Sequence, residues 1–240
     1  MSRDDGRGPG SLRPVLVEPE SAPYAEGSCL ISAGNTRVLC TASVEDSLPP
    51  WRNEEDGGWV TGEYSMLPRA THTRNRRERN GLKGRTQEIQ RLVGRSLRGA
   101  VDLRRLGPRT VVVDCDVLQA DGGTRTASIT GGWIALALAC RKLLDEGQVD
   151  SNPIHDQVAA VSVGVVDGVP LLDLDYGEDV RAQVDMNVVA TEAGELVEVQ
   201  GTAEGRPFPR SQLDELMDLA LAGVHELATA QLRALGEERE

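Results

Sequence analysis

No stretch of roughly 18 apolar residues occurs in the 240-residue sequence, so no bilayer-spanning helix is expected. The polar start MSRDDGRGPGSLRP carries no apolar core of a secretory leader, and the expected location is the cytoplasm. Cys29, Cys40, Cys115 and Cys140 are far apart and form no CxxC pair. They are expected to be buried, reduced thiols, with disulfides as the alternative reading. His72, His155 and His225 are scattered, without the spacing of a zinc site. No GxSxG elbow and no adjacent Cys and His residues supply a hydrolase nucleophile, and without GxxxxGK(S/T) an ATP-type phosphate cradle is unsupported.

What the chain does contain is charge, unevenly placed. Apolar residues make up 39% and charged residues 27%, the balance of an ordinary globular protein. The net charge of −12 argues against a nucleic-acid partner until its distribution is read. Residues 69–109 hold 13 of the 26 Lys and Arg residues and three acids, Glu78, Glu88 and Asp102, so this block is +10 inside an acidic chain. It is either a solvated helix face or an electrostatic footprint for phosphates.

Periodicity organises the rest. Strands are predicted over 27–45, with a turn at Gly34-Asn35, and over 58–66, 109–119, 157–166, 169–174, 184–190 and 196–203. Between the second and third of these regions THTRNRRERNGLKG has no period and reads as a long basic loop. Helical spacing begins near Thr86 (Ile89, Leu92, Val93, Leu97), and TRTASITGGWIALALACRKLL reads as a buried apolar helix. A last amphipathic helix is predicted to open at Ser211, where SQLD has the shape of a capping box. Strands cluster between helices, so the fold class is α/β in the α+β sense: mixed sheets with covering helices, in one domain spanning 1–240.

Three constellations suit phosphate chemistry. DGGTRTASITGG, residues 121–132, places two glycines between a strand and a helix, where backbone amides and the helix N-terminus attract an anion. Thr124, Arg125, Thr126 and Ser128 add donors there, and Arg125 suits bidentate phosphate contact. Arg85, in GRTQEIQR, starts the preceding helix and either points at the same anion or is a surface arginine. DLDYGEDVRAQVDMNVV, residues 173–189, holds five carboxylates. In one straight strand Asp179 and Asp185 would lie about 20 Å apart, so a loop or bulge through 179–183 is needed for them to cooperate. Together they suit Mg²⁺ or general-acid chemistry. Asp173, Asp175 and Glu178 are expected to be solvated turn residues.

These stretches, with RDDGRGPGSLRPV, EGSCLISAGNTRVLCTASVE and LPRATHTRNRRERNGLKGRTQEIQRL, resemble the ribonuclease PH family of bacterial phosphorolytic exoribonucleases over nearly the whole chain. The resemblance implies a compact domain similar to the second domain of ribosomal protein S5. It also implies a hexameric ring built as a trimer of dimers, and phosphate-dependent trimming of transfer-RNA precursor 3′ ends that releases nucleoside diphosphates and is reversible. On matching positions it implies that Arg85, Gly123, Thr124 and Arg125 bind inorganic phosphate. Asp179 and Asp185 become the essential acidic pair with Mg²⁺ nearby, and Arg69, Arg74 and Arg77 the arginines that grip transfer RNA. A hydrolytic nuclease differs only in its nucleophile. A catalytically silent ring subunit would be expected to have lost one of the four central side chains, and a small-molecule kinase of related fold would need a longer phosphate loop.

Overall fold

The computed structural model of the chain describes residues 3–79 and 81–237; Asn80, in the basic loop, lies outside them. In chain order the elements are β1 (Val15–Pro19), β2 (Gly27–Ala33), β3 (Thr36–Glu45), β4 (Trp59–Met66), α1 (Gly84–Arg98), α2 (Leu103–Leu106), β5 (Thr110–Gln119), α3 (Thr124–Asp145), β6 (Val158–Val166), β7 (Val169–Leu172), α4 (Tyr176–Arg181), β8 (Val184–Thr191), β9 (Leu196–Ala203) and α5 (Arg210–Ala234). Two sheets result, in the orders β1-β2-β3-β5-β4 and β7-β6-β8-β9. Among the described residues only the β4–β5 pair is parallel, and α1, which packs on β4, lies on the crossover between those two strands.

Alternation explains β5: Val111, Val113, Cys115 and Val117 are buried, whereas Asp114 and Asp116 stand on the other face. The buried face meets α3, which also packs on β2, β3 and β6 and so joins the two sheets. Among the described residues α3 is the one helix long and apolar enough to cross a bilayer, but the relevant window is 72% buried inside the molecule. Its apolar character serves a core. A second cluster joins Val161, Val163 and Val165 of β6 to Leu216, Ala220 and Val224 of α5. All four cysteines are free and buried, as the spacing predicts. Cys29, Cys40 and Cys115 are register partners across β2, β3 and β5 beneath α3.

Three sequence expectations need correction. The last helix begins at Arg210 behind Pro209 with no side-chain cap, and Asp214 pairs with Arg210 instead of closing a box on Ser211. Strand β1, helix α2 and helix α4 were not predicted; α4 is a single turn and a half, too short for its period to register. Asp173 and Glu178 are not solvated: they are 5% and 4% exposed. Arg3 donates to both oxygens of Glu178, at 2.7 and 2.5 Å, and Arg13 donates through Nε and Nη2 to the two oxygens of Asp173, at 3.0 and 2.6 Å. The partners lie 160 or more residues away in sequence, which local patterns cannot reveal. Asp175 caps α4 by accepting from the Glu178 amide, and Glu178 returns the bond to the Asp175 amide.

The closeness of α3 to β2 is testable at Gly27, where an added Cβ would fall 2.1 Å from the Ala135 carbonyl oxygen and 2.6 Å from the Ala139 nitrogen. Gly27→Ala is expected to destabilise the protein by roughly 1–3 kcal/mol. The readout is the midpoint of urea unfolding at constant slope; an unchanged midpoint would contradict this packing.

Candidate active site

After β5 the chain reverses through Asp121-Gly122-Gly123, with φ of 75° at Gly122 and 65° at Gly123. Two successive left-handed residues favour glycine strongly. Space demands it too, because a Cβ on Gly122 would lie 2.6 Å from the Leu174 carbonyl oxygen. The Thr36 hydroxyl pins the turn, donating to the Gly122 carbonyl at 2.6 Å and accepting from the Asp121 amide at 2.9 Å. Helix α3 then starts at Thr124 with Gly123 as N-cap and no side-chain cap. The first-turn amides of a helix lack intrahelical acceptors, so here they are available to an anion, reinforced by the helix dipole.

Arg125, on that first turn, donates to Glu88 of α1 at 3.3 Å and to Gln200 of β9 at 3.1 Å. These contacts hold a mobile side chain in place. The Thr124 hydroxyl shares a 2.9 Å hydrogen bond with the buried Tyr64 hydroxyl. Burial pushes the Tyr64 phenol up, while the Thr124 bond and the charges of Arg85 and Arg125 pull it back. Arg85 is exposed and makes no side-chain hydrogen bond or ion pair among the described residues.

The acidic pair is assembled by α4. Instead of one long strand, residues 176–181 form the short helix and β8 begins at Val184, so Asp179 stands on the helix and Asp185 near the start of the strand. The loop alternative is therefore the one realised. Burial raises the Asp185 carboxyl to about 6, with the negative charge of Asp179 adding to the rise and Arg125 and Arg85 opposing it. Partial burial also raises Asp179, against the same two arginines. Arg85, Arg125, Asp179 and Asp185, from four different elements, thus lie within electrostatic reach of one another. Sequence could not establish that meeting.

Arg69, Arg74 and Arg77 are not part of that cluster. They are exposed on the stretch between β4 and α1, and none makes a side-chain ion pair or hydrogen bond among the described residues. Beside them opens a cavity of about 600 Å³, lined by Arg76, Arg77 and Arg79 with Glu63, Asp114 and Asp116. It reaches Arg85 but includes neither Asp179 nor Asp185, so this space adjoins the charged cluster without containing it. Sequence reading missed Glu88, Gln200, Tyr64 and Thr36. Glu88 carried a weak signal as the one acid within GRTQEIQR; the other three carried none.

Two carboxylates within electrostatic reach offer hard oxygen donors, and no group of three or more Asp, Glu, His or Cys residues placed to hold a metal ion occurs among the described residues. That donor set fits Mg²⁺, which commonly binds through one or two carboxylates and keeps several waters. The coupling itself can be measured. Asp179→Asn is expected to lower the Asp185 pKa from about 6 and Arg125→Ala to raise it, as read by carboxyl ¹³C titration without divalent ions. No movement in either variant would mean the groups do not face one another.

Comparison with known proteins gives this arrangement a context. The 3′ exoribonuclease family matches in two parts, its domain 1 over residues 11–142 and its domain 2 over residues 156–223. A protein named ribonuclease PH from Maricaulis maris is 57% identical over 235 residues, covering 97% of this chain and 99% of its own length. One of the same name from Synechococcus sp. is 55% identical, covering 98% and 95%. Among solved structures, a chain of the Archaeoglobus fulgidus exosome with RNA bound to the active site matches with a TM-score of 0.81 at 25% identity, covering 95% of this chain and 92% of that one. An archaeal exosome core chain matches with a TM-score of 0.77 at 25% identity, covering 96% and 91%. The chain belongs to the ribonuclease PH family of 3′ exoribonucleases.

Proposed function

We propose that this ribonuclease PH family member trims the 3′ ends of transfer-RNA precursors by phosphorolysis, with inorganic phosphate as the nucleophile. The observation that carries the proposal is the convergence of two arginines, an uncapped helix N-terminus and a carboxylate pair with raised pKa values. Orthophosphate must approach an anionic phosphodiester, so two like charges have to be held together. Arg85, Arg125 and the amides at 123–125, with Thr124, offset that repulsion and aim the attacking oxygen in line.

A phosphate oxygen forms a bond to the terminal phosphorus, and the bond from phosphorus to the 3′-oxygen of the preceding nucleotide breaks. The last nucleotide leaves as a nucleoside diphosphate, and the freed 3′-oxygen takes up a proton. Asp185 stands nearest in function to that oxygen, because a carboxyl lifted to about 6 still holds a proton in part of its population near neutrality. In their ionised forms Asp179 and Asp185 would hold Mg²⁺, the alternative role for Asp185, and the ion would supply positive charge against the developing oxyanion. A phosphoanhydride replaces a phosphodiester of similar energy, so excess diphosphates drive the reaction backwards.

The basic stretch serves the body of the RNA, with Arg69, Arg74 and Arg77 contacting phosphates away from the reacting bond. The chain acts as one catalytic unit, supported by α3 packing on both sheets. It assembles as a hexameric ring, a trimer of dimers, in the cytoplasm. Exposed Leu16, Tyr24 and Trp51 are apolar surface of the kind such contacts cover.

Trimming of an RNA substrate with Mg²⁺ is expected to require added phosphate and to release diphosphates; monophosphates released without phosphate would mean that water attacks. Arg74→Ala is expected to weaken binding of a structured RNA and to reduce the log–log salt slope by about 0.7–0.9. Phosphorolysis of a short oligomer by that variant should stay close to normal, and equal loss on both substrates would place Arg74 in the catalytic cluster instead.

A further inference from the structure

The parts of the site come from distant stretches: the phosphate-gripping turn at 121–125 follows β5, and Asp179 sits on α4, more than fifty residues later. Something must fix one against the other, because a misplacement of about 1 Å between reacting groups can cost 10²-fold in rate. The two backbones touch where Gly122 meets Leu174, Asp175 and Tyr176. That contact sets a minimum distance and supplies no attraction.

The attraction comes from Arg13. Its Nη1 donates to the Asp121 carbonyl at 2.6 Å, and its Nη2 and Nε donate to the Asp173 carboxylate at 2.6 and 3.0 Å. Its own amide donates to the same carboxylate at 2.8 Å. One planar guanidinium therefore bridges the turn and the segment leading into α4. A Cβ on Gly123 would lie 2.9 Å from Nη2, so the turn rests directly on it.

Asp173 is also one of the few non-glycine residues with positive φ, 55°, and such backbone persists where surrounding contacts over-determine it. Beyond it, Arg3 fixes Glu178, the neighbour of Asp179, and donates to the carbonyls of Leu172 and Asp173 at 2.7 and 2.8 Å. Arg7 lies behind both, with its Nη2 buried and without a hydrogen bond.

We infer that Arg13, backed by Arg3, is a positioning residue that sets the separation between the phosphate-gripping turn and the Asp179–Asp185 pair. The inference rests on the functional reading above for its kinetic consequence and on geometry alone for its mechanical one. Lysine at position 13 keeps the charge beside Asp173, but its single nitrogen cannot reproduce the flat fork that spans both partners.

The test compares wild type, Arg13→Lys, Arg13→Ala and Arg3→Lys on a short RNA oligomer, separating kcat from the KM for inorganic phosphate. Thermal melting and hydrogen exchange of residues 119–126 and 173–182 are followed in parallel. Expected for Arg13→Lys is a folded protein with phosphate KM within a few-fold of normal and kcat lower by about 10²-fold. Amide protection should fall in both segments together. Arg3→Lys should show the same pattern with the larger exchange change in 173–182.

A lower melting temperature with kcat unchanged well below it would reduce Arg13 to a stabilising ion pair and overturn the inference. So would a raised phosphate KM at normal kcat, which would make Arg13 part of the phosphate site. If Arg13→Ala and Arg13→Lys both fail to fold, Arg3→Lys decides by the same criteria. If wild type releases no diphosphate, the functional reading falls, and exchange alone decides the clamp: loss of protection confined to residues near position 13 would refute it.

Discussion

Moving a guanidinium or a carboxylate out of water costs several kcal/mol per ion, and the fold meets that cost with dense hydrogen bonding. Arg3, Arg13, Asp173 and Glu178 are each less than 10% exposed and share partners across the N-terminal segment, the turn after β5 and the entry to α4. Burial pushes the Asp173 carboxyl up, but the hydrogen bonds and charge of Arg13, with the charge of Arg7, hold it below its ordinary value. Breaking such a pair from one side leaves an uncompensated ion and typically costs 3–5 kcal/mol. Arg3 and Arg13 therefore join the N-terminal segment to the turn after β5 and to the entry of α4.

In front of that satisfied lattice stand groups left deliberately short of partners. Arg85 has no side-chain partner among the described residues, α3 begins uncapped, and burial raises both Asp179 and Asp185, the latter further through the charge of Asp179. Arg125 is the intermediate case, steadied by Glu88 and Gln200 while its charge still acts on both aspartates. Unsatisfied charge in a partly dry site is what an incoming anion and cation can complete, and rigid support behind it means little reorganisation when they do.

Much of this was legible because local rules agreed. The alternation of β5, the apolar length of α3, the turn at Gly34-Asn35 and the glycine pair at 122–123 each announced themselves in a window of a few residues. Arg85, Arg125, Asp179 and Asp185 were named from residue type and motif resemblance, but only the folded chain brings them into reach of one another. The failures have two causes. Asp173 and Glu178 looked like solvated turn acids because Tyr176-Gly177-Glu178 reads as a turn, and what buries them is arginines 160 or more residues away. The SQLD box failed for the opposite reason: a plausible local cap lost to Pro209, which starts the helix one residue earlier.

Helix α3 lies almost wholly in the stretch matched by the first part of the family, yet it packs on β6 of the second part as well as on β2 and β3. Its first turn carries the glycine cradle, whereas the acids it serves come from the second part. Neither part therefore owns a complete site or a complete core. Either half alone would leave an apolar helix face bare and a charged cluster without its counter-ions, so the two halves have to fold as one body before the site exists.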